Sequence, residues 1–121
     1  MPTDPFAGAD YVELETYEGK TVSLHRETWA RKVRKHREQN LEHNFDKVGL
    51  TLWDPDCVVR SRHWSDSLLY FKEFRRFRGQ ETVVAPSGEL RYLAVVVKGG
   101  RWVQSVYRAR RLTKGEMVWP L

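Results

Sequence analysis

Apolar and polar residues change period twice along this chain. Tyr11-Val12-Glu13-Leu14-Glu15 alternates, Glu18-Gly19-Lys20 turns, and Thr21-Val22-Ser23-Leu24 alternates again, which predicts a short hairpin. The period then becomes helical. Trp29, Val33, His36 and Asn40 recur on one side of a helix over 26–39, with Arg31, Lys32, Arg34, Lys35 and Arg37 around the rest. So cationic a helix is marginal alone and needs Trp29 and Val33 docked on a sheet. A second helix over 41–52 carries Leu41, Phe45, Val48 and Leu52 as its stripe. Asp54-Pro55-Asp56 stops it, because proline disfavours helical geometry in the residue before it.

A strand-like period returns afterwards. Segments 57–62, 67–75, 90–98 and 102–111 are β-branched, aromatic or alternating, with Gly or Ser clusters between them. Lys98-Gly99-Gly100-Arg101 is a hairpin turn, and 77–87 is a longer loop or an extra short strand. The expectation is an α+β domain: an N-terminal hairpin and two helices packed on one face of a twisted antiparallel sheet of four to five strands. Residues 1–10, rich in Pro, Gly and Asp, read as a flexible acidic segment ahead of a single domain over 11–121.

Charge adds a partner class. The chain has 121 residues and a formal net charge of +5. Residues 1–20 hold five acids and one lysine; residues 21–121 hold 20 bases and 11 acids, a balance of +9. A basic body attracts polyanions, nucleic acid above all, although a solvated cationic surface has the same composition. The acidic start could also lie on that body and mask a phosphate site. No apolar run is long enough to cross a bilayer. The opening Met1-Pro2-Thr3-Asp4-Pro5 lacks the features of a secretory leader. The lone Cys57 suits a reducing cytoplasm and reads as a small buried residue.

Candidate chemistry centres on His36, whose place on the helical wheel aims it at the sheet or its edge. A histidine there can shuttle a proton near neutral pH. Its structural alternative is a core-edge histidine bonded to backbone. On 102–111, alternation puts Val103, Ser105, Tyr107 and Ala109 on one face and Gln104, Val106, Arg108 and Arg110 on the other. Tyr70 and Lys72 share a face on the neighbouring segment. His36, Tyr107, Ser105 and Lys72 are therefore the catalytic candidates. Arg60, Arg62, Arg91, Arg108, Arg110 and Tyr70 are candidates for RNA or phosphate, since arginine forks match phosphate and rings stack on unpaired bases. The arginines also suit a sheet edge guarded against aggregation. His25, His36, His43 and His63 have no metal-site spacing, and no phosphate-binding glycine loop or nucleophile elbow occurs, so no metal or cofactor is expected.

These residues together resemble the BECR ribonuclease superfamily of barnase, EndoU, colicin and RelE-like domains, specifically its phage-associated nuclease-like branch. Trp29 followed by Lys35-His36-Arg37-Glu38 resembles that branch's first helix, which ends in Arg-His-Pro-Glu. Arg37 stands in place of the Pro, and Arg31 where a second His often stands. Thr51-Leu52, Asp54-Pro55-Asp56 and Val58 match its helix-ending phrase, and Tyr70-Phe71-Lys72 its aromatic-aromatic-basic strand. Val103-Gln104-Ser105-Val106-Tyr107 resembles Val-Val-Thr-Ala-Tyr, and Lys114-Gly115-Glu116 with Trp119 its closing phrase. The likeness spans residues 20–120. It implies metal-independent RNA cleavage by 2′-hydroxyl attack, with His36, Ser105 and Tyr107 as site residues. It also implies a toxin-like role with a possible antitoxin or immunity protein as partner. The alternative on the same fold is a non-catalytic RNA-binding or protein-interaction module.

Overall fold

A computed structural model describes residues 4–64, 66–79, 83–85, 88–110 and 115–120. Arg111 at the end of the last expected long strand, Lys114 of the closing phrase and part of the 77–87 segment lie outside these residues. The elements run β1 (Tyr11–Glu15), β2 (Thr21–His25), α1 (Arg26–Lys35), two short 3-10 helices (Arg37–Gln39 and Leu41–His43) and α2 (Asp46–Trp53). Then come β3 (Cys57–Arg60), β4 (Ser67–Glu73), β5 (Val84–Ala85), β6 (Gly88–Glu89), β7 (Tyr92–Lys98), β8 (Trp102–Ala109) and β9 (Glu116–Trp119).

The expected architecture is overturned. The main sheet has seven strands, not four to five, in the order β1-β2-β8-β7-β4-β3-β9. It is mixed rather than antiparallel, because β2 meets β8 in parallel at Ser23 and Trp102. The first two strands pair with each other but form one margin of this sheet. They are not a layer beside the helices. β9 closes the opposite margin against β3, and β5 and β6 make a separate small ribbon. Local periodicity carries no information about a parallel contact between strands this far apart in sequence.

The helices are shorter than their patterns. α1 stops at Lys35, and the chain breaks into 3-10 turns around Asn40, which sits at φ 54°. α2 carries Val48 and Leu52 inward, with Thr51 buried beside them. On the helical side of the sheet, Leu24, Trp29, Leu41, Val48 and Leu52 form the main core with Val58, Tyr70, Leu93, Val95, Val97, Val103 and Val106. Burying such side chains stabilises the domain by roughly 1.5–3 kcal/mol each. Phe6 is buried in the same core, and residues 4–10 are tied down by Asp4, which accepts two hydrogen bonds from Arg26 at 2.7 and 3.1 Å. No helix among the described residues is long and apolar enough to cross a membrane.

The opposite sheet face carries a smaller cluster of Cys57, Val59, Leu69, Phe71 and Ala94, flanked by Val96 and Tyr107. One irregularity decides what points there. β8 has one extra residue relative to β7: Val97 pairs with Val103 and Val96 with Ser105, leaving Gln104 as a bulge. Val103 and Val106 therefore both face the helices, three residues apart, while Ser105 and Tyr107 face the other way.

Candidate functional site

The parallel contact between β2 and β8 ends after one residue pair, and the chain turns into α1 at Arg26. α1 then runs along the flank of β8. Trp29 and Val33 pack into the helical-side core, which turns Lys32 towards the open face of the sheet. His36 follows the last helical residue at φ −114° and ψ 48°, outside helical geometry. It has left the Trp29–Val33 stripe and packs its ring on Tyr107, with centroids 6.2 Å apart.

Tyr107 is one wall of a hollow of about 340 Å³ on the open face. Its floor is a cross-strand row: Leu69 pairs with Val96, and Val96 with Ser105. The far wall is the β3–β4 loop, which brings Ser61, His63 and Trp64. That loop is held by backbone hydrogen bonds, from Ser61 N–H to the Ser67 carbonyl and from Ser67 N–H to the Trp64 carbonyl, and by one hydroxyl. Ser61 Oγ accepts hydrogen bonds from the backbone N–H groups of His63 and Trp64, each at 3.2 Å. Short hydroxyl side chains favour such local turns. Trp64 is left 62% exposed, enough of an indole for an aromatic ligand to stack on. Lys32 enters from the α1 side.

Electrostatics separate the groups. Burial pushes the His36 imidazole below the ordinary histidine value, Lys35 and Lys32 push the same way, and Glu38 opposes them. His36 is therefore a neutral base at neutral pH. Burial, then the charges of Lys35 and Arg31, lower Lys32 from the usual lysine value. Within the described residues, Arg31, Lys32, Arg34, Lys35 and Arg37 form no ion pair. No group of three or more metal-donor side chains occurs among the described residues.

Of the residues singled out in the sequence, the structure brings His36, Ser105 and Tyr107 together. Lys72 is not with them. It lies on the other face, where Nζ donates to the Asp54 carbonyl at 2.8 Å and pairs with the Asp54 carboxylate at 3.1 Å. Tyr70 is a core residue, 3% exposed, with its hydroxyl pushed up to about 12 by burial. Arg108 is 2% exposed; it donates to the Leu90 carbonyl from Nε and Nη2 and to the Gln39 carbonyl from Nη1, and stacks on Phe77. Each of these departs from the expected role, because the helical side of the sheet takes Val106 and Arg108 of β8 and Tyr70 and Lys72 of β4. Arg60 pairs with Glu116 at 3.6 Å and Arg91 with Glu89 at 3.2 Å. Arg110 lies over Gly88, away from the hollow, where a Cβ would meet its side chain. Arg62 is exposed in the β3–β4 loop beside His63.

Lys32, Ser61, His63 and Trp64 are site residues that periodicity does not mark. The signal was a histidine and a large aromatic side by side in a polar loop, outside any period. Comparison with protein-family models, curated proteins and solved structures finds no match to this chain.

Proposed function

We propose that this domain is a metal-independent endoribonuclease-like protein that cleaves single-stranded RNA in the cytoplasm. One observation carries the reading: a neutral, partly buried imidazole, His36, rests on Tyr107 at the edge of a hollow that also holds a second imidazole and an ammonium group. Acid–base cleavage of RNA needs these groups and no bound cofactor.

His63 lines the hollow from the β3–β4 loop, and His36 stands beyond Tyr107 just past the end of α1, so that the two could serve opposite ends of an in-line displacement. A ring nitrogen of His36 takes the proton of the 2′-hydroxyl. The 2′-oxygen then forms a bond to phosphorus, and the bond from phosphorus to the 5′-oxygen breaks. His63 gives that oxygen a proton. The products are a 2′,3′-cyclic phosphate and a 5′-hydroxyl. Lys32 neutralises the charge on the phosphorane oxygens, a role that neither Lys72 nor Arg108 can reach. Ser105 donates a hydrogen bond to a phosphate oxygen, Tyr107 holds the His36 ring, and Trp64 stacks on a base. An inhibitory antitoxin or immunity protein, as the family resemblance implies, would act by covering His36 and Tyr107.

The test is incubation of the purified chain with single-stranded RNAs in excess EDTA, followed by analysis of the ends. Cyclic-phosphate ends are expected. RNA that is bound but never cut would replace this reading with the non-catalytic RNA-binding module.

A further inference from the structure

Three aromatic rings line up on the open face away from the hollow. Tyr11 of β1 lies 5.6 Å from His25 of β2, and His25 lies 5.1 Å from Trp102 of β8, centroid to centroid. Tyr11 and Trp102 are each 47% exposed, a large solvent-facing aromatic area that the core does not use. A groove of about 780 Å³ opens beside them, lined by Tyr11, His25, Arg26 and Arg31 and also by the carboxylates Asp10 and Glu27. The row sits immediately before α1 and His36 immediately after it. Ten helical residues, about 15 Å of rise, separate the two.

That helix carries Arg31, Lys32, Arg34 and Lys35, with Arg37 just beyond, none in an ion pair within the described residues. Elsewhere some cations are matched, Arg26 with Asp4, Arg78 with Asp46 and Arg91 with Glu89, while Arg62, Arg75, Arg76, Lys98 and Arg101 are, like those of α1, in no ion pair within the described residues. Arg31, which lines the groove, and Lys32, which lines the hollow, with Lys35 between them on the helical wheel, make a track for a phosphate backbone, whereas Arg34 and Arg37 line a separate hollow with Val33 and Glu42. The charge also gives the track a direction. Asp10 and Glu27 line the groove itself, and Glu13 lies on β1, so phosphate is repelled from the groove beside the row. The backbone is therefore steered along α1 while the bases reach the rings.

Resting on the proposed RNA cleavage, we infer that the Tyr11–His25–Trp102 row is a base-stacking subsite for single-stranded RNA, joined to the hollow by the cations of α1. The subsite holds nucleotides flanking the one that is cut. It recognises unpaired bases as a class, because every base offers a π-face to a ring. A duplex, with its bases already stacked on each other, gains nothing from it.

The experiment measures a 12-nucleotide oligouridylate, a 12-base-pair RNA duplex and the dinucleotide UpU against the full chain and three variants. Trp102→Ala and the double variant Tyr11→Ala/Trp102→Ala should bind the oligouridylate roughly 10- to 100-fold more weakly, the range for losing one or two stacked bases. Trp102→Phe, which keeps a ring, should stay near wild type. Duplex affinity and the cleavage of UpU should not change. Oligouridylate affinity within twofold of wild type in the double variant would overturn the subsite, as would an equal loss on duplex. Cleavage failing in every protein while the affinity pattern holds would remove the proposed reaction and leave the subsite standing. Melting curves check the fold, and Trp102→Phe against Trp102→Ala keeps the comparison valid if the double variant unfolds.

Discussion

The ring of His36 packs on the ring of Tyr107 at 6.2 Å with their planes 44° apart, joining the end of α1 to the open face of β8. This contact makes one site from two elements, and the proposed chemistry depends on it.

His36→Ala should lower RNA cleavage by about 10²–10⁴-fold, the usual loss for one general base. Because His36 is only half-buried, the melting temperature should move little. Lost cleavage with a collapsed melting temperature would assign the residue to structure instead. Tyr107→Phe keeps the ring contact and should retain more activity than Tyr107→Ala.

The pH profile has a defined sign. His36 is held below the ordinary histidine value, mainly by burial, so the folded state binds fewer protons than the unfolded one in the window below about pH 6.5. Stability, and the availability of His36 as a base, should both hold above that window and decline as pH falls through the folded value. His36→Gln should flatten this part of the stability curve. A stability optimum that instead rises on acidification through this window would contradict the burial of the imidazole.

Arg108→Ala should destabilise the domain by about 2–4 kcal/mol, because the Leu90 and Gln39 carbonyls lose their donors in a buried setting. Arg108→Lys should recover little, since one ammonium group cannot reproduce the planar fork over Phe77. Denaturant unfolding measures both. RNA affinity per folded molecule should be unaltered, which separates this arginine from the phosphate track.

Neutralising two cations of α1, as in Arg31→Gln/Lys35→Gln, should weaken RNA binding and make the logarithmic salt slope shallower by roughly 0.7 per lost phosphate contact. Lys72→Ala, on the other face, should leave that slope and the cleavage rate alone. Titrations at rising salt distinguish the two positions.

Asp4 is held at about pKa 2, first by its hydrogen bonds to Arg26 and then by the N–H groups of Phe6 and Gly8. A carboxylate so depressed contributes stability above about pH 4 that is lost as pH falls through 2. Asp4→Asn should speed hydrogen exchange at the Phe6 and Gly8 amides at neutral pH. Unchanged exchange would mean that Phe6, buried beside Phe45, anchors the segment without help.

The legible parts of this fold are the local ones. Alternation in 11–15 and 21–24 and the helical recurrence from Trp29 to Val33 are properties of short windows, and elements lie there. The single parallel contact of Ser23 with Trp102 is set by tertiary packing, so the mixed sheet was not legible. The Gln104 bulge breaks alternation without any glycine to announce it. Strict alternation placed Val103 with Ser105 and Tyr107, whereas the bulge puts it with Val106. Alternation puts Lys72 and Tyr70 on one face, and they share one; which face the helices cover is not encoded in their strand. His36 lies near Tyr107 because α1 ends one residue earlier, not because of its place on the wheel. His63 and Trp64 lie in a loop, where no period exists to mark them.

The extra residue in β8 divides one strand into two independently phased halves. Trp102 and Val103 are registered to the glycine turn, and Ser105 onward to the middle of β7. Removing Gln104 would restore simple alternation and leave Ser105 and Tyr107 outward and Val103 and Val106 inward. Removing Val106 instead would turn Tyr107 into the core and expose Arg108. Position 104 is thus the one joint in β8 where chain length can vary without inverting the site, and it lets the aromatic row and the hollow change their spacing separately.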